Sequence, residues 1–127
     1  MRIISLFCGC GGMDLGLVKS GHKIVYANDN DEDSIKTYKN YFTKKFKLSS
    51  KHIFLGDVKK VKISDIPNGD VVVGGFPCQG FSVANIFRKD KRKMERKNNE
   101  LYLEMIRIIK GKKPKYFIAE NVPGILS

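Results

Sequence analysis

The sequence predicts an α/β fold: a mostly parallel sheet with helices on both faces, ending after about five strands. Three observations predict it. Short apolar runs alternate with stretches of helical period, the connections between them are short, and the runs end in glycines or polar groups. At 127 residues the chain suffices for one domain with its own core and no more.

Taken in order, residues 2–7 (RIISLF) form a short apolar run before a glycine-rich turn, the pattern of a buried first strand. Residues 8–12 turn tightly into a helix over about 13–20. The second strand covers residues 23–27 and ends in Asn28, Asp29, Asn30 and Asp31. A helix over 32–42 follows, and the polar, lysine-rich stretch 43–51 is expected as a surface loop. Residues 52–55 make a short strand before Gly56, Asp57 and Val58. Turn residues Pro67, Asn68 and Gly69 precede a fourth strand at 70–74. Further on, Asn98 or Asn99 can cap a helix reaching about residue 110, with Leu101, Met105, Ile108 and Ile109 on its apolar face and Gly111 ending it. A fifth strand, 115–119 (KYFIA), delivers Glu120 and Asn121 to the sheet edge that also receives Cys78. No internal repeat, low-complexity tract or interdomain linker interrupts this order.

Composition narrows the function classes. With 42% hydrophobic and 29% charged residues the chain reads as soluble and globular, not disordered. No apolar run approaches the ~18 residues of a membrane span, and the opening MRIISLFCGC lacks a signal-peptide layout, so the expectation is a cytoplasmic protein with no membrane partner. Three cysteines (Cys8, Cys10 and Cys78) without metal-ligand spacing predict free thiols and no metal. The net charge of +11 favours a polyanionic partner. Residues 88–97 (RKDKRKMERK) hold seven basic residues against two acidic, close after Cys78, which suits contact with phosphates.

The chemistry concentrates in GGFPCQGFS, residues 74–82. A lone cysteine is most often an inert core residue, but here glycines at 74, 75 and 80 and a rigid Pro77 make a stiff turn that presents one thiol past a strand end. Cys78 is therefore a nucleophile candidate. Glycines at 9, 11 and 12 let a ligand approach the backbone near a helix N-terminus, as nucleotide cofactors require. Asp29, at the tip of the second strand, can accept two hydrogen bonds from a ribose diol. Its alternative role, capping the next helix, can fall to Asp31 instead. Asp57 can accept an adenine amine, with Val58 packing on the ring.

FPCQ with Ser82 three residues beyond Gln79, the ENV triplet (Glu120, Asn121, Val122) and LFCGCGG at residues 6–12 together resemble the C5-cytosine DNA methyltransferases, in order and in spacing. The likeness covers all of this chain but only the amino-terminal part of a full enzyme. It implies a Rossmann-like, S-adenosylmethionine-dependent methyltransferase fold. The cofactor would lie along Phe7, Gly9, Gly11 and Gly12, with Asp29 and Asn30 at its ribose, Asp57 and Val58 at its adenine, and Pro77 and Leu101 nearby. Cys78 would add to carbon 6 of cytosine, Glu120 would hydrogen-bond the ring, and Asn121 would either position the Cys78 loop or form a turn. The target base would be extruded from double-stranded DNA, with Gln79, Ser82, Arg88, Lys89, Lys91 and Arg92 on the nucleic acid. Residues 82–97 would close over the base and be unfolded without DNA.

Two departures from the family pattern stand out. NNEL at residues 98–101 replaces an Arg-Gly pair before the leucine, which alters the closing segment. A target-recognition domain, a later arginine-rich motif and a carboxyl-terminal helix are absent, which leaves the fifth strand as an apolar edge and implies a complementary chain. Three readings stay open. The chain is the catalytic and cofactor-binding portion of a split or truncated DNA methyltransferase, cytoplasmic and at the nucleoid when bound; an RNA cytosine methyltransferase of the same fold; or a catalytically silent S-adenosylmethionine-binding or assembly module.

Overall fold

Isoleucines and valines pack well on a pleated surface, and the strands they build here align in one parallel sheet. The computed structural model describes residues 1–77 and 91–121, the stretch 91–100 by its backbone alone. Strands β1 (Arg2–Leu6), β2 (Lys23–Asp29), β3 (Ile53–Leu55), β4 (Val71–Gly75) and β5 (Tyr116–Glu120) stand in the order β3-β2-β1-β4-β5. Every pairing is parallel, so the expected mostly parallel sheet is wholly so among the described residues. Helices α1 (Gly12–Lys19), α2 (Glu32–Phe46) and α3 (Lys91–Lys112) connect the strands.

Side chains alternate across the sheet, which sorts the core into two layers. Ile3, Ile24, Val71 and Val73 face α1 and α2, where they meet Ile35, Tyr38 and Phe42. Ile4, Leu6, Tyr26 and Val72 face α3, where they meet Met105 and Ile108. The register slips between Ile3 and Ile4, which pair with Ile24 and Tyr26. That bulge lets Tyr26 share a face with Ile4 although Ile24 shares one with Ile3.

Three element boundaries differ from expectation. Helix α2 continues to Phe46 because Tyr38, Phe42 and Phe46 keep a spacing of four: the Tyr38 and Phe42 rings stack at 4.1 Å and those of Phe42 and Phe46 lie 5.5 Å apart. Lys47, with φ of 54°, closes it in the left-handed conformation. Among the described residues helix α3 already runs from Lys91, ahead of Asn98 and Asn99, and 91–97 of the segment expected to be unfolded are helical, while 82–90 lie outside the described residues. Residues 91–100 contain no Gly or Pro and are rich in Lys, Arg and Glu, which favour helix. Gly111 does not end α3 but lies within it, where the Cβ of any other residue would stand 2.9 Å from Cγ2 of Ile63. Lys113, with φ of 48°, makes the left-handed exit instead.

Strand β5 lies at one edge and is exposed on both faces, Phe117 by 62% and Ile118 by 47%. No helix among the described residues is long and apolar enough to cross a membrane.

Candidate active site

Parallel strands send their carboxyl ends to one side, and the strand order reverses between β1 and β4, the place where open α/β sheets leave a crevice. Past the end of β1, Phe7 takes a left-handed φ of 54° and Gly9 one of 53°. For a residue as bulky as Phe7 this conformation costs roughly 1–2 kcal/mol. The turn is nonetheless firmly held: Cys8 N–H donates to Asn28 O at 3.0 Å and Gly11 N–H to Cys8 O at 2.9 Å.

Asp31 takes the capping role expected of it. Asp31 caps α2, accepting from Ser34 N–H at 2.7 Å, and hydrogen bonds from Ser34 hold its carboxyl below the usual range. Asp29 instead fastens the glycine turn, accepting from Gly9 N–H at 2.8 Å and from Asp31 N–H at 3.0 Å. Asn30 beside it is exposed. At Gly9 and Gly12 the position of a Cβ is open space, with nothing within 4 Å. The backbone at those two positions is therefore open to approach.

Gly11 has a packing reason to be glycine. A Cβ there would lie 2.4 Å from Cε2 of Phe42 and 2.9 Å from Cδ2 of Tyr38, so its missing side chain makes room for α2. For Val58 the expectation is corrected. It is only 3% exposed and packs beneath α3, so the turn after Asp57 can offer a ligand its backbone but not that side chain. Asp57 itself is exposed and accepts from Lys59 N–H at 2.9 Å. Leu101 is half-buried against the α3-side core and Pro77 is exposed at the end of β4.

Strands β4 and β5 bring the next groups together. Gly75 pairs with Glu120, and a Cβ on Gly75 would lie 2.9 Å from Oε2 of Glu120. The bare glycine thus gives the carboxylate its place. Asn121 Nδ2 donates to Phe76 O at 3.0 Å, fastening the end of β5 to the segment that leads into residue 78. Cys78, Gln79, Ser82, Arg88 and Lys89 lie outside the described residues, as do the side chains of Lys91 and Arg92.

A sequence model of the C-5 cytosine-specific DNA methylase family matches residues 1–127. The chain belongs to that family. It is 41% identical over its whole length to the type II methyltransferase M.NgoPII of Neisseria gonorrhoeae, covering 35% of that protein. It is 36% identical to M.Bsp6I of Bacillus sp. strain RFL6, over 99% of this chain and 37% of that one. A solved structure of a candidate DNA modification methyltransferase from an E. coli prophage superposes with a TM-score of 0.76 at 31% identity, over 100% of this chain and 33% of that one. The chain thus spans about a third of the length of the family members it matches.

Several residues that shape this crevice were given no role from the sequence. Asn28 is buried and donates through Nδ2 to Phe54 O at 3.2 Å and Gly56 O at 2.9 Å, joining the second and third strand ends. Asp14, 1% exposed, accepts from Ser5 Oγ at 2.7 Å and Tyr38 Oη at 2.5 Å beneath the glycine turn. Cys8, by contrast, is disarmed. Burial first, then the Asp14 and Asp29 carboxylates, push its thiol far above the ordinary range, which suppresses thiolate.

Proposed function

We propose that this chain is the cofactor-binding and catalytic portion of an enzyme that methylates carbon 5 of cytosine in DNA with S-adenosylmethionine. A complementary polypeptide carrying the target-recognition domain completes it. The observation that carries this reading is the Glu120 carboxylate lodged over Gly75, with Asn121 fastened to Phe76, at the sheet edge where the Cys78 segment departs. Phe7, Gly9 and Gly12, the Asp29 and Asn30 tip, Asp57 with the backbone of Val58, Pro77 and Leu101 would hold the cofactor. When bound, it supplies a methyl group on a positively charged sulfur.

The chain's own residues then prepare the base. Carbon 5 of cytosine is a poor nucleophile while the ring is aromatic. The Cys78 thiolate forms a bond to carbon 6, and the electrons of the 5,6 double bond move to carbon 5. Glu120, protonated or sharing a proton, donates to ring N3 and accepts from the exocyclic amine, stabilising the charge that develops. Once carbon 5 is methylated, its proton passes to a base, the double bond re-forms and Cys78 leaves as thiolate. Asn121 positions the Cys78 segment through the Phe76 carbonyl. Extruding the base costs a few kcal/mol, which Gln79, Ser82 and the basic residues 88, 89, 91 and 92 offset at the backbone phosphates.

Fluorine in place of the carbon 5 hydrogen blocks that last proton loss. With the remaining part of M.NgoPII co-expressed as the complement, DNA containing 5-fluorocytosine is expected to form a covalent adduct that maps to Cys78. Trapping on 5-fluorocytidine RNA alone, or an adduct on another residue, sinks the reading. The bare β5 edge supports docking of the complement there. Phe117→Lys is accordingly expected to lower adduct yield about tenfold, an effect of about 1.4 kcal/mol, with the circular dichroism of the chain unchanged.

A further inference from the structure

Between Gly56 and Ile66 the chain forms no strand, only short 3₁₀ turns at Val58–Lys60 and Ile63–Asp65. Asp57 heads the first of them. Its Oδ1 accepts from Lys59 N–H at 2.9 Å, its carbonyl from Lys60 N–H at 2.9 Å, and Val58 O accepts from Val61 N–H at 3.1 Å. The side chain of Asp57 is exposed and Oδ2 has no partner among the described residues. Among the described residues its hydrogen bonds all lie within the turn, which therefore sets its position.

Val61 O takes no part in the turn's own hydrogen bonds, and Val58 O, which accepts from Val61 N–H, keeps a second lone pair. A residue from α3, 49 positions away from Val58, takes them. Arg107 Nη2 donates to Val58 O and to Val61 O, both at 3.1 Å. Its Nε donates to Glu104 Oε2 at 2.7 Å, which fixes the plane of the guanidinium. Farther along the same helix, Lys112 Nζ reaches Ile63 O at 3.3 Å and Ile63 rests against Gly111. The carboxyl-terminal half of α3 is thus a cradle for the Asp57 segment, and Arg107 is its forked contact.

We propose that Arg107 is a positioning residue that sets where the Asp57 carboxylate stands, and through it makes the site select a ring bearing an exocyclic amine. The proposal rests on the reading of Asp57 as the acceptor of that amine. A hydrogen bond to a charged group tolerates little misplacement. A turn released from its two-carbonyl clamp would lose the selection before it lost the fold.

Calorimetry with S-adenosylhomocysteine and its deaminated inosine counterpart reads this directly. The wild-type protein is expected to prefer the amine-bearing ligand by roughly 10- to 100-fold, the range of one charge-assisted hydrogen bond. Arg107→Met should bring that preference close to parity, a change that uniform weakening of both ligands would not produce. Asp57→Asn separates the two ideas. If it leaves the preference intact, the reading of Asp57 falls, and the proposal with it. If it abolishes the preference while Arg107→Met retains it, the proposal alone is overturned. Without any ligand, the amides of Lys59, Lys60 and Val61 should exchange with deuterium faster in Arg107→Met, and β1 amides at the wild-type rate. Unchanged exchange at those three amides overturns the proposal. Should Arg107→Met unfold, Arg107→Lys keeps the charge and the stem without the fork, and is held to the same two readouts.

Discussion

Replacing Gly75 with valine is expected to lower methyl transfer about a hundredfold, the scale on which a displacement of about 1 Å in a reacting group acts. The protein should stay folded. The new side chain meets the far end of Glu120, since Cβ would stand 2.9 Å from Oε2, and a flexible carboxylate can swing aside at small cost to stability. On the proposed role of Glu120, it cannot swing aside and still face the base. Gly74 supplies the control: its Cβ would stand 3.2 Å from the Leu6 carbonyl and 3.4 Å from the Met105 sulfur, both in the packed interior. Gly74→Ala should therefore cost about 1 kcal/mol of stability through overpacking, with Glu120 undisturbed. Turnover and urea midpoints measured on both variants separate the two. Full activity in Gly75→Val would mean that the carboxyl group is not needed where it stands.

The adjacent glycines also show which features a sequence makes legible. Runs such as RIISL and VVV declare strands because a buried parallel strand is apolar on both faces, and all five strands stand within two residues of expectation. Strand ends follow, so Asp29 and Glu120 could be placed at the crevice. Polar composition misled. Residues 43–46 contain two lysines and read as loop, yet Phe46 continues the stripe of Tyr38 and Phe42 and the lysines extend that helix. The glycines at 11, 75 and 111 have purposes that no local pattern carries. Each accommodates a side chain from elsewhere in the chain, Phe42, Glu120 and Ile63 respectively. Arg107 and Asn28 are similarly opaque, because their carbonyl partners lie 46–49 and 26–28 residues away.

Asp14→Ala is expected to cost about 3 kcal/mol of stability, from two buried hydroxyls at roughly 1–3 kcal/mol each when left unpartnered. Those hydroxyls are Ser5 Oγ on β1 and Tyr38 Oη on α2, which both donate to the Asp14 carboxylate. The residue therefore ties helix α1 to the strand before it and the helix after it, directly under the turn that Asp29 holds. Asp14→Asn keeps the shape and isolates the charge. Burial raises the Asp14 carboxyl in the folded protein, partly opposed by the hydrogen bonds from Tyr38 and Ser5. Below the unfolded value, about 3.9, both states hold the proton and the folded state incurs no ionisation penalty. As pH rises past it, the unfolded chain ionises first, so stability falls until the folded carboxyl has ionised too. Asp31 and Asp70, lowered by hydrogen bonds from Ser34 and from Arg2, slope the other way, losing stability as pH falls through their folded values. They are common to both proteins and cancel in the difference. Denaturant titrations should therefore show the wild type losing ground to Asp14→Asn as pH rises from about 4, and a difference that stays flat with pH would mean that the buried carboxylate feels no penalty for its charge.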